Sequence, residues 1–110
     1  MMSAGVVTVY NGALAIIRFR VDWANGGTPW TDWYTYSESH SFTLSQYGAP
    51  DGGDVTPHVE VKGGPSKYAD PVVNDDSNNV AYYSVYGSSA DIHITPPGPP
   101  PANPAARDAV

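Results

Sequence analysis

Between residues 17 and 23 every second side chain is apolar: Ile17, Phe19, Val21 and Trp23 alternate with Arg18, Arg20 and Asp22. A two-residue period puts one set on each face of a pleated strand, so the first set faces a core and the charged set faces water. The same period returns where His40, Phe42 and Leu44 oppose Ser39, Ser41, Thr43 and Ser45, and again where Val55, Pro57, Val59 and Val61 oppose Thr56, His58, Glu60 and Lys62. A chain patterned this way folds as sheets with one wet face. Ile17, Phe19, Val21, Phe42, Val59 and Val85 are the expected core. Pro57 supplies no N–H, which predicts an edge position or a strand start for it.

Turn-forming residues divide the rest. Residues 6–10 read as a first strand, and Asn11-Gly12 as a type I′ hairpin turn, whose central positions need positive φ. The partner strand is residues 13–23. Asn25-Gly26-Gly27 and Pro29 make residues 24–31 a loop, residues 48–54 form a turn cluster, and residues 63–79 make a long excursion with one short strand. Residues 80–86 and 90–95 are the last two strands. About seven strands with this spacing predict an all-β fold, an antiparallel β-sandwich over residues 1–95. Pro96-Pro97-Gly98-Pro99-Pro100-Pro101 lacks the N–H groups to continue a ladder. The sheet is therefore expected to stop at Thr95, with residues 96–110 a disordered or extended Pro-rich tail that is dispensable for folding.

A chain of 110 residues with such a tail buries one core. Leucine is nearly absent while valine and tyrosine are abundant, a composition that suits pleated sheets rather than helices. The net charge of −6 argues against a nucleic-acid partner, which would require clustered Lys and Arg, and disfavours anionic membranes. Without cysteine there is no disulfide framework, thiolate metal site or thiol nucleophile. The first five residues lack the basic and apolar segments of a signal peptide, and no apolar run is long enough for a transmembrane segment, so the chain is expected to be soluble.

His40, His58 and His93 each fall in a strand pattern, with no second ligand at metal spacing, and are read as structural or solvated. Asn74, Asp76 and Asn78 place oxygen donors at alternating positions as a calcium loop does. Asn79 then stands where glycine belongs and Val85 where the bidentate glutamate belongs, so a polar turn is the reading. No nucleophile elbow, zinc-protease helix or phosphate loop is present, and the chain is read as no enzyme, with no catalytic residue, metal or cofactor. Trp23, Trp30, Trp33, Tyr34, Tyr36 and Tyr47 are too many large rings for so small a core. Of these, Trp30, Trp33, Tyr34, Tyr36 and Tyr47 are the expected ligand or partner surface, since such rings present a flat apolar face and a polar edge. The alternative is that Trp23 and two others are simply core.

From Asn11 onward the order of features resembles the C-terminal β-sandwich domain of the thiol-activated, cholesterol-dependent cytolysins. That family's first strand has the form G-A-Y-V-A-x-F-x-V-x-W, and residues 12–23, from Gly12-Ala13 to Phe19-Arg20-Val21-Asp22-Trp23, are similar with one extra residue before the phenylalanine. Trp30 or Trp33 and then residues 39–44 stand for the next tryptophan and strand. Residues 55–62 stand for the strand before the family's tryptophan-rich loop. Val85-Tyr86-Gly87-Ser88-Ser89-Ala90 is similar in place to the closing I-W-G-T-T-L-Y-P. The departures are specific. Where the family has E-C-T-G-L-A-W-E-W-W-R, this chain has Glu60-Val61-Lys62-Gly63-Gly64-Pro65-Ser66-Lys67-Tyr68, and the sterol-recognising Thr-Leu pair is replaced by Ser89-Ala90. The resemblance thus implies a shared sandwich without cholesterol selectivity.

The functional expectation is a non-catalytic recognition module that meets a membrane, glycan or protein surface through its end loops. The alternative is a structural subunit of a larger assembly, whose partners would be other proteins or further copies of the chain.

Overall fold

The computed structural model describes residues 1–101. Its strands are β1 (Ser3–Ala4), β2 (Val6–Asn11), β3 (Ile17–Trp23), β4 (Gly26–Gly27), β5 (Ser39–Thr43), β6 (Asp54–Val61), β7 (Ser66–Tyr68), β8 (Val72–Asn74), β9 (Val80–Ser88) and β10 (Asp91–Ile94). One sheet runs β1-β8-β6-β3-β4, with β7 beside β8 on the same edge of β6; the other runs β10-β9-β2-β5. Among the described residues ten strands stand where about seven were expected, because pairs of two or three residues form at turns and along the excursion after β6, which holds two strands rather than one.

The alternating residues bury as their period dictates. Ile17, Phe19, Val21, Val59 and Val85 have no exposed surface and Phe42 has 6 %. Both sheets contribute to one apolar layer, in which Phe19 meets Phe42 edge to face at 5.3 Å. At about 25 cal/mol per Å² of apolar area removed from water, such residues supply most of what holds two sheets together.

The pairing is not wholly antiparallel. β2 runs parallel to β9 from Val6↔Val80 to Asn11↔Val85, and β1 runs parallel to β8. The cause lies at Asn11-Gly12, which is no hairpin. Neither residue has the positive φ that a type I′ turn requires. Asn11 is instead fully buried. Its Nδ2 donates to Ala15 O at 2.9 Å and Tyr34 O at 3.2 Å, and its Oδ1 accepts from Ala13 N at 3.0 Å. The chain therefore crosses from one sheet to the other, and β3 pairs with β6 rather than β2.

Pro57 lies inside β6 and is buried, not at an edge. Its carbonyl accepts from Ala69 N on the side away from β3, and the missing N–H points the same way, into the gap between the β7 and β8 pairings. Nor does the second sheet stop at Thr95. Thr95 N donates to Ser84 O, and Gly98 and Tyr82 exchange two backbone hydrogen bonds of 2.8 and 3.1 Å. Gly98 has the N–H that its proline neighbours lack. Residues 102–110, the rest of the expected tail, lie outside the described residues.

Candidate recognition surfaces

The outer face of the first sheet carries the polar residues of β3 and β6, and the segment after β4 folds back along the free edge of β3. Thr28 N donates to Val21 O, Thr31 N to Phe19 O, and Ile17 and Tyr34 exchange two backbone bonds. This strand-like path sends Tyr34 inward and leaves Trp30 and Trp33 over the outer face.

There the two indoles clasp Arg18. Its guanidinium carbon lies 4.6 Å from the Trp30 ring centre and 4.4 Å from that of Trp33, while Arg20 lies 5.1 Å from Trp30. Arg18 also pairs with Glu60 directly opposite on β6, at 2.7 Å. Beyond Trp30 the stack continues through His58, 5.3 Å away, to Tyr68, whose ring is parallel to His58 at 4.2 Å. Arg20 Nε lies 2.9 Å from Asp22 Oδ1 in an ion pair whose angle is too poor for a hydrogen bond, and His58 Nδ1 lies 3.8 Å from Asp22 Oδ2. Much of the ring surface of Trp30 and Trp33 is thus already occupied by cations of the same sheet.

The expected surface residues consequently separate. Tyr34 is not on the surface: it is 2 % exposed, donates its hydroxyl to Val9 O at 2.9 Å, and packs against His40. Burial, helped by Glu38, pushes its phenol pKa far above the ordinary value. Tyr47, 40 % exposed, belongs to the 3-10 turn Leu44–Tyr47 and packs on Phe42, at the end of the sandwich where β2 begins. Tyr36, 49 % exposed, lies at the opposite end, in a turn tied to Asn11 by Ser37 N–H.

That opposite end gathers most of the exposed apolar surface. Leu14 and Ile16 are 78 % and 40 % exposed. Leu14 N donates to Gly87 O, and Ile16 O accepts from Lys62 N, so the loop before β3 sits between the turns that follow β6 and β9. Those turns touch: a Cβ on Gly64 would stand 2.6 Å from Ser89 O. Lys62 reaches 6.0 Å from Trp33 at the rim. Sequence reasoning missed Leu14 and Ile16, although the unbroken run Ala13-Leu14-Ala15-Ile16-Ile17 marked them, since five consecutive apolar residues cannot share one strand face.

In the polar loop 74–79, Asn74 turns inward, its Nδ2 donating to Ala49 O, Pro50 O and Asp76 Oδ1. Its side chain is committed to the loop. Hydrogen bonds from Ser77 hold the Asp75 carboxyl below its usual pKa. Among the described residues no group of three or more His, Asp or Glu is placed to hold a metal, and no helix is long and apolar enough to cross a membrane.

No family model and no curated protein sequence matches the chain. Among solved structures, listeriolysin O superposes over 88 % of the chain with a TM-score of 0.53 and 9 % identity. Wild-type pneumolysin superposes over 87 % with a TM-score of 0.51 and 9 % identity, and a Gram-negative toxin over 93 % with 0.51 and 13 %. The fold is that of a cytolysin β-sandwich domain. At such identities the likeness shows the fold alone, and it agrees with the resemblance read from the sequence. This cytolysin-like module spans less than a quarter of the length of each of these toxin chains: 22 %, 23 % and 24 %.

Proposed function

We propose that this cytolysin-like module is a non-catalytic recognition domain that docks on a lipid surface with the end formed by the loop before β3 and the turns after β6 and β9. The observation that carries the reading is Leu14 at 78 % and Ile16 at 40 % exposure in one loop at one end of the sandwich. Exposed aliphatic side chains at a loop tip, ringed by amphipathic groups, suit the boundary between headgroups and acyl chains. Tyr36, Trp33 and Lys62 supply that ring, since indole, phenol and ammonium groups all favour the interface.

The magnitude sets the mode. Fully burying one such aliphatic side chain contributes roughly 1.5–3 kcal/mol, so two partly exposed ones give about 2–4 kcal/mol before any cost of docking. This corresponds to weak, reversible association that becomes firm only through several copies. The net charge of −6 directs the module to zwitterionic rather than anionic bilayers. Ser89-Ala90, in place of the family's sterol-recognising pair, argues against cholesterol selectivity.

The test is flotation of the full chain with phosphatidylcholine liposomes, with and without cholesterol. Co-flotation is expected with both, to similar extents, and is expected to be lost in Leu14→Asp and weakened in Trp33→Ala, both folded by circular dichroism. Cholesterol-dependent flotation would overturn the absence of sterol selectivity; flotation unchanged by Leu14→Asp would overturn the docking end. If the chain stays off liposomes but runs as a large oligomer in light scattering, the structural-subunit reading takes its place.

A further inference from the structure

At the far end of the same sheet face, away from Leu14 and Ile16, lies an open trough of about 490 Å³ lined by Asp22, Trp23, Ala24, Asp54, Thr56 and Tyr68. We infer that this trough is a carbohydrate subsite for a neutral pyranose, a second recognition site independent of the lipid-docking end. Three features on its walls combine to make it one.

The first is a preorganised platform. The Tyr68 ring is 61 % exposed yet held parallel to His58 at 4.2 Å and 14°. His58 is in turn packed against Trp30, itself wedged by Arg18 and Arg20. A ring braced on one face and open to the trough loses little freedom when a sugar stacks on it, which is what makes weak stacking count. The clasped Trp30 and Trp33 rings brace this platform instead of meeting the ligand.

The second feature is polar. Asp54 and Thr56 are two residues apart on β6 and so project on one face, with Asp22 the cross-strand partner of Thr56. Asp54 is exposed and, among the described residues, makes no ion pair. Its carboxylate offers two acceptor oxygens to a pair of vicinal hydroxyls, and the Thr56 hydroxyl both donates and accepts. Asp22 is already turned toward Arg20 and His58. It shapes the wall, and Asp54 is the carboxylate left free for a ligand.

The third is the sign of the charge. The Asp54 carboxylate in the trough of a chain with net charge −6 repels sialylated, sulfated or phosphorylated ligands at short range. Aromatic walls beside carboxylates also suit an organic cation. The hydroxyl of Thr56 and the single well-exposed ring favour the neutral sugar, because a cation cage works through several converging ring faces and uses no hydroxyl.

The test is an NMR titration of the full chain with methyl glucopyranoside, methyl galactopyranoside and methyl mannopyranoside, N-acetylneuraminic acid and tetramethylammonium chloride. At least one neutral glycoside at millimolar concentration is expected to shift the resonances of Trp23, Asp54, Thr56 and Tyr68, with no response to the acidic sugar. Tyr68→Ala is expected to weaken binding at least about tenfold and Tyr68→Phe less than about threefold, since the ring rather than the hydroxyl carries the stacking. Asp54→Asn, which keeps the shape, is expected to weaken it several-fold. Response to tetramethylammonium alone would make the trough a cation site and overturn the inference. So would a preference for the acidic sugar, sugar shifts that cluster elsewhere, or silence with every probe. None of these results bears on flotation.

Discussion

Asn11 shows how one side chain redirects a chain. Its amide spans the step between the two sheets, satisfying the carbonyls of Ala15 and Tyr34 and the N–H of Ala13 with no exposed surface of its own. Asn11→Ala takes that partner from Ala15 O and Ala13 N, while Tyr34 O keeps its bond from Ile17 N, and equilibrium urea unfolding is expected to show a loss of about 1–3 kcal/mol. Tyr34 and Tyr83 make a second residue-scale prediction. Both phenols are pushed far above the ordinary tyrosine pKa, Tyr34 by burial and then Glu38, Tyr83 by burial and then Asp70, and both donate to backbone oxygens. The folded state therefore keeps protons that the unfolded state releases above about pH 10. Their contribution to stability is intact below that pH and falls as pH rises beyond it. Melting temperature is expected to decline more steeply above pH 10 in the wild type than in Tyr34→Phe, and equal slopes would count against the assignment.

At the scale of elements, the outer face of β3 and β6 is held by charge set against aromatic rings. Arg18 sits about equally far from Trp30 and Trp33 while its guanidinium reaches Glu60. Cation–aromatic contacts at partly exposed sites contribute about 0.5–1 kcal/mol each, and the ion pair adds less than about 1 kcal/mol. Arg18→Ala is accordingly expected to lower stability by roughly 1–2 kcal/mol and to change tryptophan fluorescence. Arg18→Lys is expected to recover only part of this, because an ammonium cannot stack flat between two indoles. Unchanged fluorescence in Arg18→Ala would show that the indoles do not depend on the guanidinium.

At the scale of the whole molecule, the chain after β10 closes an edge of the second sheet. Gly98 pairs with Tyr82, while the flanking prolines present no N–H groups to a neighbouring molecule, a common way of blunting a sheet edge. Truncation after Thr95 removes two backbone hydrogen bonds worth about 1 kcal/mol net at a wet edge, which corresponds to a fall of roughly 4–8 °C in Tm for a domain of this size. It is also expected to raise self-association in light scattering. Truncation after Pro101 keeps the Gly98 pairing and is expected to retain Tm and solution size. A chain ending at Thr95 that melts and scatters like the full one would mean that the bridge adds nothing.

Alternation was enough to define the β class and the six core residues, because a two-residue period depends only on neighbours along the chain, while the likeness to a cytolysin sandwich came from a resemblance of short motifs. Which strands meet was not local. Asn11-Gly12 has the composition of a hairpin, and only the buried partners of the Asn11 amide determine that the chain crosses to the other sheet. Burial was likewise legible for Phe19 and Val59 but not for Tyr34, whose place depends on a strand-like path along the edge of β3 and on a carbonyl of the opposite sheet. Of the aromatic run only Trp30 and Trp33 lie over the outer face, and Arg18, His58 and Tyr68 join them from β3, β6 and β7. Leu14 and Ile16 became a tip, and Asp54 with Tyr68 a trough, for the same reason: surface sites are assembled from segments far apart in sequence, and only tertiary structure decides which of them share a surface.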